Sequence, residues 1–439
     1  MRDRIVATIY QRAEEITNRV CRMERVPDRE WDRRLDDILT SRWLGFPVML
    51  LLLGGVMWLT VTGANYPSAL LANGLFWVEA RLTDIFMWAG APDWLHGLLV
   101  LGMYRNLAWV VSVMLPPMAI FFPLFTFLED LGYLPRVAFN LDRFFKRAGA
   151  HGKQALTMSM GFGCNAAGVI SCRIIESPRE RLIAILTNNF VPCNGRFPTL
   201  IALASIIVGG VVSSYGSVVV AGLVVGIILI GILVTLLVSW LLASTVLQGV
   251  PSVFTLELPP YRKPQVGRLL VRSLLDRTIF VLARAVVVAA PAGAIIWLMA
   301  NVMVGEISLL VYTAQLLAPI GRALGMDGYI LVAFILGLPA NEIVLPILIM
   351  GYLSSGVMIE LGNLAALRDI FISQGWTWLT AVCMMLFSLL HYPCATTLIT
   401  MFKETHSWRW TAIGALLPLA VAILVTFCVA QGGRLLGLV

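Results

Sequence analysis

Residues 154–171 read QALTMSMGFGCNAAGVIS, and residues 186–204 read LTNNFVPCNGRFPTLIALA. The same device recurs at GYILVAFILGLPANEIVLPIL (328–348) and FSLLHYPCATTLITM (387–401). In each pair the first apolar run breaks around an asparagine, Asn165 or Asn341. The second breaks at a Pro-Cys pair, Pro192-Cys193 or Pro393-Cys394. A broken helix frees backbone N–H and C=O groups that hydrocarbon cannot satisfy, so such breaks persist at membrane depth only where they line a cavity or bind something. Two breaks at matching places in two halves point to a transporter's substrate site.

Composition places these breaks in a membrane. Of 439 residues, 59% are hydrophobic and 13% charged, and the mean hydropathy is +0.85. The formal charge of +7 sits in Lys and Arg beside apolar runs, as the positive-inside rule expects, so it does not call for nucleic acid. The charged first forty residues and the lack of a small-residue cleavage site argue against a removable signal peptide. Seven scattered cysteines, none in CxxC, argue against a disulfide framework.

The expected fold is an all-α polytopic membrane protein of about seven transmembrane helices plus two re-entrant hairpins, in two inverted repeats. Residues 1–42 form a cytosolic helical segment too small to fold alone, which packs on a partner or on the loops. Residues 43–106 hold the first span, about 44–62, and an outer interfacial segment. Residues 107–250 form repeat 1, residues 251–277 a basic cytoplasmic loop, and residues 278–439 repeat 2. Both flanks of 155–172 are basic, so that run enters and leaves on the cytoplasmic side. The run 328–355 has charge-poor flanks and enters from outside. The N-terminus is then cytoplasmic and the C-terminus extracytoplasmic.

Several motifs carry a resemblance: GFGCN (161–165), RERL (179–182), VPCNGRFP (191–198), LEDLGYLPRVAF (128–139), LELPPYRKP (256–264), and YPCATTL with FKET within 392–405. Together they resemble the membrane domain of the bacterial ferrous-iron transporter family FeoB, from about Asp36 to the C-terminus. The resemblance implies two inverted Gate motifs, a place in the bacterial cytoplasmic membrane, and Fe2+ as transported substrate with no cofactor. It also implies a GTPase. These residues contain no GxxxxGK[ST] phosphate loop, so the GTPase is a separate polypeptide, was removed, or is dispensable in this member; the transport reading takes it to act in trans. A small SH3-like accessory protein, membrane lipids and a homo-oligomer are further implied partners. The family's usual VPAIMATR and CSARLP appear here as NAAGVISCR and CNGRFP.

Iron(II) accepts thiol, amide oxygen and carboxylate ligands. The expected metal path is Cys164, Asn165, Cys193, Asn194, Asn341, Glu342 and Cys394, converging if the repeats face each other. Lone membrane cysteines are ordinarily small hydrophobes, and for Cys394 packing and ligation both stand. Glu342, an intramembrane carboxylate, is functional by default, with an ion pair to Arg173 or Arg196 as the structural alternative. His391 reads as a histidine bonded to a carbonyl. Glu129 and Asp130 read as loop caps paired with Arg136. Tyr261, Arg262 and Lys263 offer a surface to a GTPase. No catalytic constellation is visible. Two rival readings are a Gate-fold permease for a nucleoside-like solute and a non-transporting, GTPase-linked membrane sensor.

Overall fold

The computed structural model describes residues 2–20, 28–41, 43–208, 216–249, 267, 271, 278–358 and 364–437. The loop motif 256–264, with Tyr261, Arg262 and Lys263, lies outside the described residues. The first half contains α1 (Arg2–Val20), α2 (Asp28–Leu39), α3 (Gly45–Trp88), α4 (Asp93–His96), α5 (Arg105–Asp130), α6 (Tyr133–Arg147), α7 (Gln154–Gly163), α8 (Asn165–Ser171), α9 (Pro178–Thr187), α10 (Phe197–Val208) and α11 (Gly216–Ser244). The second half contains α12 (Phe280–Asn301), α13 (Leu309–Ala323), α14 (Gly328–Leu336), α15 (Val344–Leu353), α16 (Leu364–Ser373), α17 (Trp378–Leu390), α18 (Ala395–Thr405) and α19 (Trp408–Leu435). The sheet among the described residues is one hairpin, β1 (Met303–Val304) against β2 (Ile307–Ser308).

Among the described residues, five helical stretches are long and apolar enough to cross a membrane, or six if α13 and α14, bent by 110°, count as one. Two further stretches that the sequence reading counts as spans appear as shorter apolar helices, Phe197–Ile207 and Val286–Asn301. The protein is thus an all-α polytopic membrane protein. Helices dominate because each satisfies its own backbone where no water is present.

The first span does not stop near residue 62. α3 runs unbroken for 44 residues, through Pro67, and takes in the stretch expected to lie separately at the interface. At 1.5 Å per residue this is about 66 Å, roughly twice the hydrocarbon thickness. Its far half is pinned: Glu79, 6% exposed, pairs with Arg105 at 2.7 Å, and Tyr104 Oη donates to Leu75 O at 3.0 Å.

α2 docks on α6. Arg136, 2% exposed, pairs through Nε with Asp36 Oδ1 at 2.9 Å, and Asn140 Nδ2 donates to Leu39 O at 2.6 Å. Arg136 therefore serves the N-terminal segment, whereas the sequence reading gave it to Glu129 and Asp130, both of which are exposed. Breaking a buried ion pair costs about 3–5 kcal/mol. Asp36 is 30% exposed and can regain water, so Arg136→Ala is expected to cost about 2 kcal/mol. Thermal unfolding in detergent measures it, and an unchanged midpoint would show that α2 is not held this way.

The repeats are visible in backbone angles. Cys164, between α7 and α8, has φ −154° and ψ 126°. Ala340, between α14 and the 3-10 turn Asn341–Ile343, has φ −152° and ψ 125°. Next along the chain, α9 and α10 are separated at Pro192-Cys193, and α17 and α18 at Pro393-Cys394. Each break closes onto the hairpin of its own repeat. Asn194 N–H donates to Gly163 O at 3.3 Å, and Ala395 N–H donates to Leu338 O at 2.8 Å. Each is the residue after a Pro-Cys pair, so the freed backbone groups satisfy one another.

Candidate functional site

The breaks meet around a small cavity of about 20 Å³. Repeat 1 contributes Gly163, Cys164, Asn165, Cys193 and Gly195. Repeat 2 contributes Pro339, Ala340, Asn341, Glu342, Cys394 and Thr396, and α5 adds Met114 and Met118. Six of the seven residues singled out in the sequence thus line one space: Cys164, Asn165, Cys193, Asn341, Glu342 and Cys394. Asn194 does not line it and contributes through its backbone N–H.

The polar groups around this space are unevenly satisfied. Asn165 Nδ2 donates to Asn189 Oδ1 at 3.2 Å, and Asn341 Nδ2 approaches Cys193 Sγ at 4.0 Å. The two amide oxygens, Asn165 Oδ1 and Asn341 Oδ1, are buried without a hydrogen-bond partner. An orphaned buried acceptor costs about 1–3 kcal/mol. Both belong to residues that line the cavity, and each is a vacant acceptor suited to a cation or a donor. Cys394 Sγ lies 3.3 Å from Thr397 Oγ1. Among the described residues no three of His, Cys, Asp and Glu group tightly enough to hold a metal ion. The thiols and carboxylate are gathered around the cavity without closing into a cage, and any cation held here would draw on amide and carbonyl oxygens as well.

Glu342 faces Gly195. A Cβ at Gly195 would collide with Glu342 Oε1, so the missing side chain makes room for the carboxylate. Neither arginine named as a partner forms an ion pair with Glu342: Arg173 pairs with Glu404 at 2.7 Å, and Arg196 bonds to carbonyls. Gly195→Ala is expected to cost about 2 kcal/mol by overpacking. Adding Glu342→Ala should restore the unfolding midpoint. If the second substitution gives no relief, the carboxylate is not what Gly195 accommodates.

Sequence reasoning missed the structural centre of the site. Arg196 is 1% exposed. Its Nη1 donates to Asn189 O at 2.9 Å and Leu389 O at 2.8 Å. Its Nη2 donates to Asn189 Oδ1 at 3.1 Å, and to His391 O and Tyr392 O at 3.3 Å each. One guanidinium therefore ties the broken α9–α10 pair of repeat 1 to the broken α17–α18 pair of repeat 2. Asn189 Nδ2 adds a bond to His391 O at 2.6 Å. The signal was present as a charged residue inside an apolar break and as the paired Asn188-Asn189. His391 follows the bland reading: its Nδ1 lies 3.0 Å from Phe387 O and 2.9 Å from Ser388 O, outside the cavity lining.

The Gate family, described as nucleoside recognition, matches residues 111–208 and 282–408, the two repeats. The ferrous iron transport protein B C terminus matches residues 224–276 between them. Over 421 residues the chain is 30% identical to a protein named Fe(2+) transporter FeoB from Staphylococcus aureus (strain MSSA476), covering 92% of this chain and 59% of that protein. A Synechocystis protein of the same name is 27% identical, with 92% and 63% covered. A Porphyromonas gingivalis protein named Fe(2+) transport protein A/Fe(2+) transporter FeoB fusion protein is 26% identical, with 92% and 51% covered. The chain thus spans between about half and two thirds of the length of these relatives. No solved structure matches it significantly. With a Gate segment in each repeat and the ferrous iron transport protein B C-terminal segment joining them, the chain belongs to the FeoB family as its Gate-type membrane domain.

Proposed function

We propose that this chain moves Fe2+ across the bacterial cytoplasmic membrane through the Cys/Asn-lined space between its two repeats. The carrying observation is that cysteines from both repeats, Cys164 and Cys193 with Cys394, line one space, together with two asparagines whose amide oxygens are unpartnered. Iron(II) is borderline in softness and accepts such a mixed set. An incomplete cage suits transport, because an ion held too tightly does not leave. The relatives named Fe(2+) transporter support the same substrate.

In this reading the repeats are inverted, with the N-terminus cytoplasmic and the C-terminus extracytoplasmic, and access alternates between the two faces. A GTPase controls the cycle. The Porphyromonas fusion supports a small accessory protein of the transport protein A type as a partner.

The name of the Gate family favours a second reading, a permease for a nucleoside-like solute. Size weighs against it: a space of about 20 Å³ takes little more than one water-sized ligand. The test is anaerobic uptake into proteoliposomes of Fe2+, Mn2+, Zn2+ and a labelled nucleoside, with a GTPase supplied. Preferential Fe2+ uptake is expected. Nucleoside uptake without metal uptake would overturn the assignment. Absence of any uptake would favour a membrane sensor.

A further inference from the structure

A second cavity, of about 320 Å³, lies behind the first hairpin and away from the cysteine site. Its walls come from α3, α5, α6, α7 and α11, and its lining is apolar except for Ser159 and Tyr133. On α3 it runs from Phe46 to Val56, about 15 Å of helix at 1.5 Å per residue. Water does not fill an apolar space of this kind, and leaving it empty forfeits dispersion contacts along every wall. The surrounding solvent at this depth is acyl chain. α3 is lipid-facing on its other side, where Leu51 is 76% and Trp58 68% exposed.

One end of the slot carries the marks of a headgroup region. Phe46 and Phe144 meet edge to face there, with ring centroids 5.9 Å apart. Trp43, 88% exposed, stands just before α3 in the manner of an interfacial aromatic. On the same turns of α6 as Phe144, Arg143 and Arg147 are exposed and form no ion pair with a described residue. Two exposed cations on the last turns of a helix that walls the slot complement an anionic phospholipid.

We propose that this slot is a binding site for one acyl chain of an anionic phospholipid, with the headgroup held at Arg143 and Arg147. The back wall is α7, through Ala155, Met158, Ser159 and Phe162, which is the helix that ends at Cys164. A bound chain therefore packs directly against the element that presents the first thiol. The proposal rests on the membrane setting of the fold and not on the identity of the transported ion.

The test uses the full chain in vesicles of equal parts phosphatidylcholine and phosphatidylglycerol. A trace of phosphatidylglycerol bears a photoreactive diazirine on its acyl chain, and labelled peptides are mapped by mass spectrometry. Labelling of α7 at Met158 to Phe162 is expected, because lipid outside the bundle cannot reach it. Arg143→Gln/Arg147→Gln changes only exposed side chains. It should lower α7 labelling about 25-fold, since each surface arginine contributes on the order of a five-fold preference for anionic lipid. Labelling confined to the outer face of α3 would overturn the site, whatever else fills the slot. Equal α7 labelling by a phosphatidylcholine probe, or no loss in the double variant, would overturn the anionic headgroup contact. None of these outcomes depends on iron uptake.

Discussion

Arg196→Ala is expected to yield no stable, monodisperse protein. The substitution strands Asn189 O, Leu389 O and Tyr392 O, and leaves His391 O and Asn189 Oδ1 with one donor each, from Asn189 Nδ2 and Asn165 Nδ2. Each stranded buried acceptor costs about 1–3 kcal/mol. Three of them together cost about 3–9 kcal/mol, comparable with the whole stability of a typical domain. Arg196→Lys should fail as well. An ammonium is a compact point charge without the planar fork that reaches both broken pairs at once. Arg196→Met separates the two contributions of the side chain, since it keeps volume and removes donors. Size-exclusion profiles and protease resistance in detergent give the readout. If Arg196→Met behaves like the native protein, packing rather than carbonyl satisfaction holds the repeats together at this point.

Cys164→Ser/Cys193→Ser is expected to lower Fe2+ uptake by roughly 10- to 100-fold, the scale on which even outer-shell changes move metal sites. Serine keeps nearly the same shape, so the loss is one of ligand softness. Residual transport should shift from Fe2+ toward Mn2+, which prefers oxygen. Cys172→Ser is the matched control: Cys172 is fully buried and donates to Gly168 O at 3.3 Å, but it does not line the cavity. It should fold and transport normally. Equal losses in control and double variant would assign the effect to folding, and unchanged uptake in the double variant would remove both thiols from the path.

The sequence by itself determined the parts of this protein that depend on local chemistry. Apolar length demanded spanning helices. Gly, Pro and Asn inside those runs demanded breaks, and the order Asn break then Pro-Cys break, used twice, announced the repeat. Breaks also marked which residues to watch, because freed backbone groups at membrane depth need partners. α3 marks the limit of that reading: the first span was expected to end near residue 62, yet the helix continues through Pro67, pinned by Arg105 on Glu79.

Only the tertiary structure decided what the breaks face. Cys193 and Cys394 are some two hundred positions apart, and no local rule brings them to one cavity; packing of one repeat on the other does. Packing within repeat 1 gave the Asn194 N–H to Gly163 O, and Asn194 does not line the cavity. The packing of one repeat on the other also set Arg196 on the carbonyls of both halves and in no ion pair with Glu342. Local periodicity sets where a helix must break. Which side chain then faces the gap is set by contacts between segments that the chain order does not relate.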